Sequence, residues 1–164
     1  MGNELLDARV LIVDDDRDTL EVMRIMLDTH GAHTVVATTA SEGLAVLRAT
    51  RPEVVLSDIS LPDHDGYEFV KRIRALPAEE GGETPAVAVS AHVYTAHRER
   101  AFDAGFQAFL AKPLTPDSLV GCVKSMVERS RAHLERRRAP RRGDQPSMDS
   151  QSDRRIFERR RPLC

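Results

Sequence analysis

Five short apolar or β-branched runs constrain this chain more than any other feature. They are Val10–Val13, Thr34–Ala37, Val54–Leu56, Ala86–Val89 and Ala108–Ala111. Each is long enough for a strand and too short for a globular helix. They are continuous rather than alternating, so both faces of each strand have to be covered. The stretches between them carry helical spacing. Leu20, Met23, Met26 and Leu27 share one helix face, with Gly31 as a stop. Thr39 and Glu42 form a capping-box pattern opening a helix through Leu44 and Leu47, which ends near Pro52. Leu61–Gly66 is turn-rich, and Tyr67, Val70, Ile73 and Leu76 then fall on one face. A loop over Glu79–Thr84, a polar helix over 96–104 stopped by Gly105, and a last helix capped by Thr115 and opened by Pro116 complete the series. Five β–α units joined by right-handed crossovers make a doubly wound α/β domain: a five-stranded parallel sheet with five helices on both faces.

Composition fits one such domain and excludes other classes. Hydrophobic residues make up 41% of the 164, enough for one core. Trp is absent and there are only five Phe and two Tyr, so aliphatic side chains fill most of that core. No apolar run could span a bilayer, and the first thirty or so residues lack the pattern of a signal peptide. Cys122 and Cys164 match no disulfide or metal spacing. A cytoplasmic, reducing setting is expected. The net charge of −2 hides an asymmetry. Residues 1–128 hold 12 Lys/Arg against 21 Asp/Glu, a net −9, whereas residues 129–164 hold 12 Arg against 5 Asp/Glu, a net +7.

In a doubly wound sheet, ligands bind beyond the carboxyl ends of the strands, at the point where strand order reverses. Strand one ends in Asp14-Asp15, strand three in Asp58, strand four in Ser90 and strand five in Lys112-Pro113. Three carboxylates, a hydroxyl and an ammonium therefore converge on one edge. Two like charges about 5 Å apart, at an effective dielectric near 20, cost roughly 3 kcal/mol. A hard divalent cation relieves that repulsion, and Mg²⁺ suits a site with few carboxylates and a phosphate. Lys112 supplies a point positive charge and Ser90 a hydrogen-bond donor for phosphoryl oxygens. Asp58, alone on the middle strand, can attack as a carboxylate nucleophile to form an acyl phosphate.

These residues resemble the response-regulator receiver family of two-component systems. Val13-Asp14-Asp15 resembles its acidic pair. Asp58-Ile59-Ser60-Leu61-Pro62-Asp63-His64-Asp65-Gly66 resembles the phosphoacceptor strand end and its loop, with Leu61 where the family usually has Met. Ser90-Ala91 resembles the Thr/Ser-Ala step, Lys112-Pro113 the Lys-Pro pair whose peptide bond is typically cis, and Phe109 the aromatic switch position. The likeness runs in the right order over residues 8–130. It implies a flavodoxin-like strand order 2-1-3-4-5. It implies that a sensor histidine kinase or histidine phosphotransfer protein phosphorylates Asp58. Asp15, Asp58 and the Ser60 main-chain carbonyl would ligate Mg²⁺, with Asp14 acting mostly through a bound water. Ser90 would move toward the phosphoryl group and Phe109 would turn inward behind it. The face of the fourth helix, fifth strand and fifth helix would then meet a downstream protein partner, and a homodimer is a further expectation. The chain would be a phosphoacceptor, not a turnover enzyme.

Each of these residues also has an ordinary reading. Alone, Asp14-Asp15-Asp16 is a helix-capping turn, Lys112 a surface lysine, Ser90 a turn residue and Phe109 core; only their joint placement makes a site. Asp16 and Asp18 fit a cap or a first-turn charge. Ser60 and His92, each two residues after a site residue, either border the phosphoryl group or are plain loop residues. Asp14-x-Asp16-x-Asp18 resembles the start of an EF-hand loop, but Thr19 replaces the glycine and Ile25 stands where Glu is needed. A dehalogenase-type phosphatase would need Thr or Val where Asp18 stands.

The expected boundaries are an N-terminal extension over 1–7, the receiver over 8–133, and an Arg-rich, mostly disordered tail over 134–164. That tail is too short for a typical effector domain, so a single-domain regulator is expected. Its arginines could attract nucleic acid, but Phe157 is its one aromatic residue and no groove-reading motif occurs. A binding module acting through this tail is the competing class, distinguished by indifference to Asp58→Asn.

Overall fold

A computed structural model describes residues 2–92 and 94–138. The expected disorder of 139–164, together with Cys164, falls outside the described residues. The chain divides into a unit of residues 1–131, which carries the sheet, and a second of residues 132–164. In chain order the elements are β1 (Arg9–Val13), α1 (Arg17–Asp28), β2 (His33–Ala37), α2 (Ala40–Thr50), β3 (Val54–Asp58), α3 (Gly66–Arg74), β4 (Ala86–Ser90), α4 (Thr95–Ala104), β5 (Ala108–Ala111) and α5 (Pro116–Arg138). All strand pairs are parallel, and the sheet order is β2-β1-β3-β4-β5. The doubly wound sheet of order 2-1-3-4-5 is therefore observed. One detail differs: the loop expected over 79–84 opens with a 3-10 turn at Ala78–Glu80.

Alternation along each strand builds two cores. Val10 and Ile12 of β1, Val54 and Leu56 of β3, and Val87 and Val89 of β4 face one side, where Leu20, Met23 and Leu27 of α1 and Leu119, Val123 and Val127 of α5 cover them. Leu11, Val13, Val55, Ala86 and Ala88 face the other, under Leu47 of α2, Phe69, Val70 and Ile73 of α3, and Ala101 and Ala104 of α4. This is why the strands read as unbroken apolar runs. Leu5 is 1% exposed and belongs to the first core, with its N–H on His30 O at 3.0 Å. The stretch read from sequence as an N-terminal extension thus packs on the domain through one leucine, too isolated to give a periodic signal.

Local chemistry starts and stops the helices. Asp16, Thr39, Asp65 and Thr115 each accept a first-turn N–H, from Asp18, Glu42, Glu68 and Ser118 at 3.0, 3.1, 2.8 and 3.2 Å. Gly105 ends α4 at φ +126°, a backbone region that side chains disfavour. Leu134, expected to continue the inward face of α5, is 43% exposed. The helix nonetheless runs to Arg138, since Ala, Leu, Glu and Arg are good helix formers without packing.

Phe69 is fully buried and its ring lies close to Gly43 of α2. Phe69→Ala is expected to lower unfolding free energy by about 3–5 kcal/mol, measured by urea denaturation of unphosphorylated protein.

Candidate functional site

Strand register brings the site together. Val13 pairs with Ser57 in the β1–β3 ladder, so Asp14 lies level with Asp58 one residue on. Asp58 pairs with Val89, which puts Ser90 one step further out on β4. Ser90 pairs with Ala111, and Lys112 follows it. The Lys112–Pro113 peptide bond is cis.

Lys112 reaches back across β4 to the two middle strands. Its Nζ lies 3.0 Å from Asp14 Oδ2 and 3.5 Å from Asp58 Oδ2. Oxygens of Asp14, Asp15 and Asp58 lie within 4.8 Å of one another. Asp14 is buried, Asp58 half-buried and Asp15 exposed, so the cluster opens to solvent on the Asp15 side. Three hard oxygen donors so close form a donor set able to hold a hard divalent cation. Asp16 and Asp18 take no part in that cluster; Asp16 is the α1 cap, and Asp18 supplies the amide it binds.

The pKa values of Asp58 and Lys112 are both raised, with opposite consequences for their charges. Burial and the neighbouring Asp14 carboxylate raise the Asp58 pKa above its ordinary value, although Lys112 acts to lower it. For Lys112, burial favours the neutral amine, but its bonds to Asp14 and Asp58 outweigh that and raise its pKa. The ammonium is therefore firmly charged, and Asp58 keeps an incompletely compensated negative charge.

The loop after Asp58 folds tightly against it. Ser60 N–H donates to Asp58 Oδ1 at 3.2 Å, and Gly66 N–H donates to Ile59 O. A Cβ at position 66 would collide with the Asp58 carbonyl oxygen and Ile59 Cα, so glycine alone lets α3 start there. The Asp63 carboxylate leaves this loop for α2 and accepts from the N–H groups of Ala40 and Ser41. The sequence reading passed over Asp63, because one of two aspartates in a turn-rich loop looks like a solvated one.

The remaining candidates lie around this cluster. Ser90 is buried, and its Oγ accepts from His92 N–H at 3.0 Å, leaving the hydroxyl proton available to donate. Phe109 is 8% exposed, with the Arg98 guanidinium 5.3 Å from its ring centre. His92 stacks obliquely on His97, ring centres 5.6 Å apart. Cys122 is a half-buried free thiol whose pKa burial raises, which makes it a poor nucleophile.

Comparison with known proteins identifies the family and the fold. Residues 10–124 match the family model of the response regulator receiver domain. An uncharacterised 14.6 kDa protein of Leptolyngbya boryana is 38% identical over 120 residues, covering 73% of this chain and 90% of that one. Response regulator Rre1 of Synechocystis is 32% identical over 75% of this chain, which spans about half (53%) of Rre1. Among solved structures, a CheY-like response regulator receiver domain protein from Methanospirillum hungatei superposes with a TM-score of 0.70 at 28% identity, covering 77% of this chain and 98% of that one.

A neutral side chain at position 58 removes the uncompensated charge. Asp58→Asn is expected to raise the melting temperature of the metal-free protein at neutral pH by about 3–5 °C. Because burial raises the Asp58 pKa, the penalty on wild type vanishes only below the unfolded-state value and is full above the folded-state pKa. The two melting curves should therefore converge as pH falls through it. Differential scanning calorimetry between about pH 3 and pH 7 checks both the sign and the window.

Proposed function

The chain belongs to the response regulator receiver family of two-component signalling systems, and from that premise we propose that Asp58 accepts a phosphoryl group in a Mg²⁺-dependent reaction. The donor is the phosphohistidine of a sensor kinase or histidine phosphotransfer protein. Domains of this family are phosphoacceptor signalling modules rather than turnover enzymes. One observation above all supports the reading: Lys112 Nζ lies within 3.5 Å of carboxylate oxygens on both Asp14 and Asp58. A lysine shared by two carboxylates, one of them half-open to solvent and raised in pKa, is the pattern of a functional site.

Each residue then has a part. The Asp58 carboxylate attacks phosphorus; an Asp58 O–P bond forms as the P–N bond to the donor histidine breaks, and the donor imidazole leaves neutral after protonation. Asp15, Asp58 and the Ser60 carbonyl would hold Mg²⁺, with Asp14 acting through water; the ion, when bound, neutralises charge on the phosphoryl oxygens. Lys112 donates to one of those oxygens, moving its hydrogen bond from a carboxylate to the phosphoryl group. Ser90 donates its hydroxyl proton to another. The new group adds about −1.5 to −2 of charge beside Ser90. Drawing Ser90 toward it frees room behind β4 for Phe109, and the surface of α4, β5 and α5 changes with them. That surface is the proposed contact for a downstream protein or for a second copy of the chain. No helix among the described residues is long and apolar enough to cross a membrane.

Incubation with acetyl phosphate and Mg²⁺ should add one phosphoryl group by intact mass, lost in Asp58→Asn and on chelation. Lys112→Met should slow the reaction by about a hundredfold, the scale of losing one preorganised charge at a developing anion. Unmodified wild-type protein, with acetyl phosphate and with a panel of phosphorylated kinases, would overturn the assignment.

A further inference from the structure

The loop carrying Ser60 is fastened at both ends and once in the middle. At the start, Ser60 N–H is held on Asp58 Oδ1. At the end, Asp65 caps α3 and Gly66 lies against the Asp58 backbone. The middle depends on one side chain. Asp63 Oδ1 accepts from Ala40 N–H at 2.8 Å, and Asp63 Oδ2 accepts from Ser41 N–H at 2.9 Å and from the Ser41 hydroxyl at 2.8 Å. This ties the loop after β3 to the helix that follows β2, the strand at the far edge of the sheet.

Helix α2 has a cap of its own, since Thr39 Oγ1 accepts from Glu42 N–H. Asp63 satisfies two other first-turn amides, at the end of the helix where negative charge is favoured. Desolvation opposes its ionisation, but the bonds from Ser41 and Ala40 prevail and hold its pKa far below the carboxylate range. The carboxylate that makes the tether is therefore ionised at neutral pH.

We propose that Asp63 is a positioning residue for the metal site, holding the Ser60 carbonyl in place before the cation arrives. Without the tether, residues 60–63 gain backbone freedom that metal binding has to remove, and the cost falls on affinity. Once the cation is bound, Asp58, Ser90 and Lys112 are unaltered, so the phosphoryl step itself is untouched. This inference rests on the reading of Asp58, Asp15 and the Ser60 carbonyl as a Mg²⁺ site.

The test is calorimetric titration of Mg²⁺ into unphosphorylated wild type, Asp63→Ala, Asp63→Asn and Thr39→Ala, with melting temperatures for all four. Asp63→Ala should raise the Mg²⁺ dissociation constant about fivefold, the scale of re-ordering one residue's backbone on binding. Asp63→Asn keeps one carbonyl acceptor and should fall between. With acetyl phosphate, half-saturating Mg²⁺ should rise in parallel, while the rate at saturating Mg²⁺ stays within about twofold of wild type. Thr39→Ala weakens α2 without touching the tether, and should lower the melting temperature while leaving Mg²⁺ affinity alone. An unchanged dissociation constant in Asp63→Ala, or an equal shift in Thr39→Ala, overturns the proposal. If Asp63→Ala does not fold, the same comparison is made with Asp63→Asn. Wild type that binds no Mg²⁺ overturns the metal-site reading and this inference together; wild type that binds Mg²⁺ and takes up phosphoryl, beside an Asp63→Ala equal to it, overturns this inference alone.

Discussion

Three carboxylates within 4.8 Å of one another have to be held there against their own repulsion. The sheet does the holding. Asp14 and Asp58 leave adjacent strands at the same level, so neither can retreat without breaking the β1–β3 ladder. Ladder bonds are individually modest, but each strand is buried over four of its five residues and makes its contacts on both faces. The counter-charge comes from β5 rather than from a neighbouring strand. Only a side chain as long as lysine spans β4 to touch both acids, and the β4–β5 register sets the point from which it reaches. Most of the rest of the domain serves to keep those strands level.

Arg74, at the end of α3, fixes the other side of that frame. Its guanidinium donates to the carbonyls of Gly82, Thr84 and Gly105 and to Gln107 Oε1, at 2.7 to 3.0 Å. Gln107 Oε1 in turn accepts from Ala86 N–H at 2.8 Å. One half-buried cation therefore joins the start of β4 to the turn before β5. Those two strands end in Ser90 and Lys112. Helix α3 is thus held at its N-terminus by Asp65 and Gly66 beside Asp58, and at its C-terminus by Arg74, so the phosphoacceptor loop and the two strands beyond it share one support.

What could be read from sequence follows from how local the physics is. The strands were legible because burial on two faces leaves no polar position within them, as Val54-Val55-Leu56 shows. The capping residues Thr39 and Thr115 were legible because a cap and its amide lie three residues apart. The cluster of Asp14, Asp15, Asp58, Ser90 and Lys112 could be anticipated because parallel strands put their carboxyl ends on one edge. Asp63, Arg74 and Glu53 were not legible. Their partners lie 8 to 78 residues away, outside any helical or strand period, and nothing in the sequence separates a charged loop residue that is tethered from one that is solvated. Leu5 was missed for the related reason that a single apolar residue has no period.

The two ends of the sheet treat buried charge in opposite ways. At the amino edge, Glu53 is 5% exposed and well satisfied. It accepts from Arg131 Nε at 2.7 Å, from Arg131 Nη2 at 3.3 Å and from Arg9 N–H at 3.2 Å, and the pairing raises the Arg131 pKa. A buried carboxylate bound in this way has no chemistry left to offer. At the carboxyl edge, Asp58 is also partly buried, but its strongest counter-charge stands at 3.5 Å and is closer to Asp14 than to it. Its pKa is raised rather than lowered, which means that the fold disfavours the ionised form the residue carries at neutral pH. The same sequence that could satisfy Glu53 leaves Asp58 in deficit. A site that binds a cation and an incoming phosphoryl group needs that deficit, because charge compensated in advance could not be compensated again on binding.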